Sequence, residues 1–240
     1  AAAMTVLQQV KAAIVGGAAE RETRRAVLAL ALPLVGSDLL QRGVNVVDAL
    51  LVGRLGAAEL AAVGLSQLLL MFVMALVYGL GVGATVMVAF HTGATDNRRR
   101  ALAARTVLLI GMAATLALGC SGILFSSPVA RFMGADGRLL ELTLDYLHVT
   151  WYLFAAYVYL HLMSAIFQGV GDTRTPLKVM VGVNILHILL AIPLIFGVWG
   201  LPQLGVVGAA LAAGLSEGVG AAWLLFVAAR RGLFGSRRSG

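Results

Sequence analysis

Six stretches of this chain are each long and apolar enough to cross a bilayer, and that repetition constrains the fold more than any other feature. A transmembrane helix needs about 20 predominantly apolar residues, and the qualifying windows are 27–52, 60–90, 101–125, 144–167, 177–199 and 204–229. Composition agrees, because 60% of the residues are hydrophobic, only 12% are charged and mean hydropathy is +0.93. One water-soluble core could not hide that much apolar surface. The expected fold class is an all-α integral membrane protein, a single bundle of six transmembrane helices.

The charges orient the bundle. A net charge of +7 and a pI near 10.3 would suit a nucleic-acid partner, but the basic residues are scattered between apolar stretches, so the lipid bilayer is the expected partner and nucleic acid is not. Cytoplasmic loops carry the excess of Lys and Arg. Lys11, Arg21, Arg24, Arg25, Arg98, Arg99, Arg100, Arg105, Arg174, Lys178, Arg230, Arg231, Arg237 and Arg238 fall on one side, against Arg54, Arg131 and Arg138 on the other. Both termini are therefore expected in the cytoplasm of a multi-pass plasma-membrane protein, which agrees with an even number of spans. The division expected is a cytoplasmic leader over 1–26, a six-helix lobe over 27–229 and a basic cytoplasmic tail over 230–240. No compact signal peptide is apparent before the first long apolar run.

Smaller signals bear on packing. Gly79, Gly81 and Gly83 stand where the long second window can bend or accept a close neighbour. The connections 53–59 and 200–203 are short enough to join antiparallel neighbours, and 126–141 has room for a helix lying on the outer surface. The lone Cys120 excludes an intramolecular disulfide and reads as packing.

Polar residues inside the spans carry the functional information, since an ionisable group in hydrocarbon is costly and marks a functional site by default. The first span holds Pro33, Asp38, Arg42, Asn45 and Asp48. Asp38 and Arg42 are four apart and can pair on one helix face. Arg42 points away from Asp48, which has no local counter-charge; Asn45, one turn earlier, can donate an amide hydrogen to it. The bland alternative for Asp48 is an acid reaching water near the outer boundary. Asn184 and His187 share a face of the fifth span, and histidine titrates where a proton relay needs it, although a single histidine in an apolar helix also serves as a hydrogen-bonded core residue. Glu217 in the sixth span is either a second proton site or an interior hydrogen bond. Tyr146, Trp151, Tyr152, Phe154, Tyr157 and Tyr159 suit either an aromatic belt or stacking on a cationic substrate. His91, His148 and His161 occur singly, so no metal site is expected. Catalytic triads, phosphate-binding glycine loops and zinc motifs are absent, so neither an enzyme nor an ATP-driven motor is expected.

Three segments together resemble the MATE family of multidrug and toxic-compound extrusion transporters, within the MOP superfamily. They are residues 31–62, with Leu32-Pro33, Asn45-Val46-Val47-Asp48, Val52-Gly53-Arg54-Leu55-Gly56 and Leu60-Ala61-Ala62; the loop Gly-Val-Gly-Asp-Thr-Arg-Thr-Pro at 169–176; and Pro202-Gln203-Leu204-Gly205-Val206-Val207-Gly208-Ala209-Ala210. Gly93-Ala94 also matches, with His91 in place of a usual glutamine. The loop has its own physical reading as a turn, with Asp172 accepting backbone N–H bonds and Pro176 opening the fifth span.

The resemblance implies the N-terminal six-helix lobe of an antiporter that exports small organic cations against entry of protons or sodium, by alternating access between two lobes. It implies a second six-helix lobe as partner, and the chain is expected to be a fragment of a longer gene, with one half of a split transporter and a homodimerising half as the alternatives. Asp48 matches the family's cation-coupling aspartate, and His187 falls at a commonly polar position. Ala191 and Ala213 stand where further polar ligands are frequent, so a proton is favoured over sodium. Asp48, His187, Asn184 and Asn45 are the expected coupling residues, Glu217 a possible second proton site, and Tyr152, Phe154 and Met71 the expected substrate-cavity residues. No cofactor other than the coupling ion is expected. A lipid-linked sugar flippase of the same superfamily and a non-transporting membrane scaffold are the alternatives.

Overall fold

The computed structural model describes residues 18–235, and every regular element among them is a helix. In chain order they are α1 (Ala18–Gly53), α2 (Ala57–Gly93), α3 (Asn97–Phe132), α4 (Gly137–Tyr152), α5 (Phe154–Gly169), α6 (Arg174–Phe196) and α7 (Val206–Arg230). Five are long and apolar enough to cross a membrane alone, while α4 and α5 together make the sixth span, bent by 53°. In hydrocarbon only a helix satisfies its own backbone, and hydroxyl groups inside these spans follow the same rule by bonding the preceding turn. Ser66 donates to the Ala62 carbonyl at 2.8 Å, Thr115 to Gly111 at 2.8 Å and Ser164 to Leu160 at 2.8 Å. Most of the expected leader, the end of the expected tail, Lys11, Arg237, Arg238 and the side chain of Arg21 lie outside the described residues.

Helix α5 is the core of the bundle. Its Phe154, Leu160, Met163, Ile166 and Phe167 are fully buried, and it packs against α2, α3 and α7. Helix α1 is peripheral: among its described side chains only Val44 and Val52 are buried, and its main neighbour is α6. Large apolar side chains such as Leu39, Phe72, Leu116 and Phe125 face outward, as a lipid-facing surface requires.

The fourth span departs from the sequence expectation. It begins at Gly137, and α3 continues to Phe132, so 126–141 contains no separate surface helix. The bend falls at Leu153 without a proline or glycine. Thr150 Oγ1 bonds the Tyr146 carbonyl at 2.9 Å, a back-bond that bends helices, and Ala156 N donates to the Leu153 carbonyl at 2.9 Å in a tighter turn. Glycines on the neighbours accommodate the corner: a Cβ at Gly122 of α3 would lie 2.3 Å from the Trp151 ring, and one at Gly214 of α7 would lie 2.6 Å from Leu153 Cβ. The Trp151 Nε1 hydrogen also reaches Ser126 Oγ at 2.9 Å.

Other expectations are corrected by packing. Helix α2 is continuous over 37 residues, about 55 Å at roughly 1.5 Å per residue. Of its three glycines only Gly81 meets a neighbour, Ala165, whereas Gly79 and Gly83 face open space. Cys120 is exposed, because α3 turns that face outward. Asp38 and Arg42 are both exposed and form no ion pair among the described residues, as each side chain is free to point outward.

Ion pairs mark the two ends of the bundle. At one end Arg138 lies 4.0 Å from Glu59 and 3.7 Å from Glu141. At the other, the α5–α6 turn is tied to the C-terminal end of α7. Gly171 there has φ +82°, a left-handed conformation that glycine adopts without strain. Asp172 Oδ1 accepts the backbone N–H groups of Arg174 at 3.1 Å and Thr175 at 3.0 Å, while Oδ2 accepts from the Thr175 hydroxyl and the Arg231 guanidinium. Partial burial pushes the Asp172 carboxyl up, but the bonds from Thr175 and Arg231 outweigh it and hold the carboxyl below its ordinary value. A lowered native value adds stability that is fully present above about pH 4 and is lost as pH falls through that native value.

Two outcomes follow. Thermal unfolding in detergent will show that Asp172→Asn removes part of the acid-side loss of stability while lowering stability at neutral pH by about 1 kcal/mol. Gly214→Ala will destabilise by about 1–3 kcal/mol through overpacking against Leu153, whereas Gly79→Ala will be neutral or slightly stabilising, by up to about 1 kcal/mol.

Candidate functional site

The bent span turns one helical face toward α1, α2, α6 and α7. Tyr146 and Thr150 on α4 and Phe154, Tyr157 and His161 on α5 recur every three or four residues across the bend, and all five line a cavity of about 550 Å³. Gln67, Met71, Met74 and Tyr78 on α2, Gln41, Asn45 and Asp48 on α1, His187 on α6, and Ala213 and Glu217 on α7 also line it. Two carboxylates but no arginine or lysine line it.

The central contact joins α1 to α6. His187 Nε2 donates to Asp48 Oδ1 at 2.7 Å, with the two side chains only 7% and 16% exposed. The sequence reading left Asp48 without a counter-group on its own helix, and the partner arrives from a helix 139 residues further on. A hydrogen-bonded carboxyl–imidazole pair can take up or release a proton, and it meets the requirement that an intramembrane acid have a partner.

The other expected residues divide. Asn184, one turn before His187, is buried but does not line the cavity, and its Nδ2 has no partner. Asn45 lines the cavity yet is exposed and makes no hydrogen bond to Asp48, so the expected amide donation is absent; the imidazole takes that place. Glu217 is buried, with Oε2 unpartnered, beside the same cavity. Phe154 and Met71 line the cavity, but Tyr152 is 73% exposed and outside it, because it sits on the opposite face of α4.

Sequence reasoning missed His161, Tyr78 and Gln67. His161 Nδ1 donates to the Tyr157 carbonyl at 3.1 Å, and its ring meets Tyr78 edge-on at 4.9 Å. The signal was available in the helical spacing of Tyr146, Thr150, Phe154, Tyr157 and His161, had the fourth span been read as one face rather than as an aromatic cluster. Tyr159 instead reaches the Leu108 carbonyl at 3.3 Å, and Trp151 packs edge-on against Phe154.

Comparison with known proteins gives a consistent result. Residues 33–192, more than half of the chain, match the MatE family model. The "Probable multidrug resistance protein NorM" of Thermotoga maritima is 33% identical over 221 residues, covering 90% of this chain and 47% of that protein. A further relative, 27% identical over 191 residues, is named "FAD transporter" in Shewanella oneidensis, with 78% of this chain and 42% of that protein covered. Among solved structures, the outward-facing conformation of a multidrug resistance MATE family transporter of the MOP superfamily superposes with a TM-score of 0.81 at 28% identity, covering 89% of this chain and 47% of the other. The chain thus spans about half the length of the relatives it matches. Fold, motifs and sequence similarity agree that this multi-pass membrane chain belongs to the MatE family.

Proposed function

We propose that this chain forms the N-terminal lobe of a cation-coupled efflux transporter in the plasma membrane, both termini cytoplasmic, with the proton as coupling ion and small organic cations as substrates. The observation that carries the reading is the 2.7 Å contact between His187 and Asp48 on the wall of a cavity of about 550 Å³. Protonation of Asp48 neutralises it and changes its bond to His187. The bond joins α1 to α6, and its change shifts the packing of the two helices. Deprotonation restores a negative charge on the cavity wall and affinity for a cation. Glu217 acts in the same cavity as a second proton-accepting group.

Two further features support a proton and a cationic substrate. Ala191 is buried and Ala213 lines the cavity, and neither has a side-chain oxygen to offer a sodium ion. The two carboxylates and the aromatic Tyr146, Phe154 and Tyr157 suit an organic cation, held by charge and by ring faces. A lipid-linked pyrophosphate would need basic groups, and Arg42, the basic residue of the first span, does not line the cavity. Alternating access then requires a second six-helix lobe facing this one, since secondary transporters gather their sites at repeat interfaces.

The test is efflux of a fluorescent cationic dye from vesicles containing this chain together with a second lobe, under an imposed pH or sodium gradient. Wild type will respond to the pH gradient. Asp48→Asn will lower pH-driven efflux at least about tenfold, corresponding to roughly 1.4 kcal/mol, and equal rates in the two would refute the coupling role. In the same assay His187→Gln will retain measurable dye binding but shift the pH dependence of efflux; an unchanged profile would remove His187 from the coupling site.

A further inference from the structure

A second cavity, unrelated to the acidic one, lies where the start of α3 meets the end of α7. It has a volume of about 1170 Å³ and is lined by Arg98, Arg99, Arg100, Arg105, Arg230 and Arg231, with Asp96 the one carboxylate in its wall. Two of the six guanidinium groups are already engaged: Arg99 Nε lies 3.4 Å from Asp96, and Arg231 bonds Asp172 and, at 3.1 Å, the Thr175 hydroxyl. Arg98, Arg100, Arg105 and Arg230 form no ion pair among the described residues. The Nε of Arg100 is buried and has no hydrogen-bond partner.

Like charges gathered around one concavity repel each other, and a buried guanidinium N–H without an acceptor costs free energy. An oxyanion relieves both. Arginine is suited to phosphate, because its planar fork donates two parallel hydrogen bonds to a pair of phosphate oxygens. Basic pockets between transmembrane helices at a membrane face accept anionic lipid headgroups on the same grounds.

The surroundings are amphipathic in the required sense. Leu102, in the cavity wall, is 63% exposed, and Phe226, one turn before Arg230, is 55% exposed and carries the Arg230 guanidinium 4.5 Å above its ring. The guanidinium groups therefore stand directly beside outward-facing apolar surface of two spans, where acyl chains attached to a bound phosphate can lie. We infer that this arginine-lined cavity between the ends of α3 and α7 is a binding site for a phosphate group whose negative charge is not offset by a neighbouring cation, as carried by an anionic phospholipid headgroup or by a soluble phosphate.

The test uses the purified full chain, delipidated in detergent and exposed to mixed micelles of phosphatidylglycerol or phosphatidylcholine, with retained lipid counted by native mass spectrometry. Phosphatidylglycerol will be retained at least about tenfold more than phosphatidylcholine. Joint substitution of Arg98, Arg100, Arg105 and Arg230 by Gln will abolish that preference, joint substitution by Lys, which keeps the charge but not the planar fork, will keep only part of it, and Arg54→Gln with Arg131→Gln at the opposite end will leave it intact. Adding inorganic phosphate separates the sources: displacement of the lipid assigns the site to the phosphate group alone, and retention assigns it to the whole lipid. Equal retention of the two lipids by wild type, or an undiminished preference in the Gln variant with a native-like circular dichroism spectrum, would overturn the inference. Should the Gln variant not fold, loss of the wild-type preference in high salt supports the site, and a preference insensitive to salt overturns it.

Discussion

A carboxyl group among hydrocarbon side chains is tolerated only with a partner or a polar cavity, and in this chain Asp48 has both. The imidazole of His187 supplies the bond, and residues of α1, α2, α4, α5, α6 and α7 line the cavity. The contact spans two helices of different character. Helix α6 has buried side chains along its length, while α1 is largely outward-facing. A polar bond that joins two packed helices can report protonation as movement, because a change in the bond alters how the two helices meet.

The bent fourth span gives that bond its setting. Tyr146, Thr150, Phe154, Tyr157 and His161 stand on one helical face that runs across the corner, and together they line the cavity. The corner is built from ordinary parts: a threonine back-bond, a tightened turn at Leu153, and glycines on α3 and α7 that leave room for Trp151 and Leu153. The acids and aromatics line one cavity, while the arginines collect at one end of the bundle, between α3 and α7. Opposite charges are thereby kept apart, the carboxylates of Asp48 and Glu217 in one cavity and the arginines in another.

Much of this was legible in the sequence, for physical reasons. Hydrocarbon thickness imposes a length on every span, so six windows could be read directly, and the cost of burying an acid singled out Asp48. The turn at Gly171 and Asp172 was readable because its hydrogen bonds are local. The bond between Asp48 and His187 was not legible from the residues alone, since it depends on which face of α6 meets α1; only the family resemblance put the two in one expected site. Asn45 misled for the same reason: one turn's proximity on a helix does not establish a bond when a better partner stands on a neighbouring helix. The bend at Leu153 carried no proline or glycine signal of its own. Gly79 and Gly83 resembled a packing motif but face outward, because only one side of α2 meets α5.

The central claim is that Asp48 and His187 behave as one proton-exchanging unit between α1 and α6. Solid-state NMR of the chain in bilayers, with ¹⁵N-labelled histidine and ¹³C-labelled aspartate, tests it most directly. The account predicts that the His187 ring and the Asp48 carboxyl respond to pH together, and that Asp48→Asn alters the His187 titration. A His187 spectrum that titrates identically with and without the Asp48 carboxyl would contradict it.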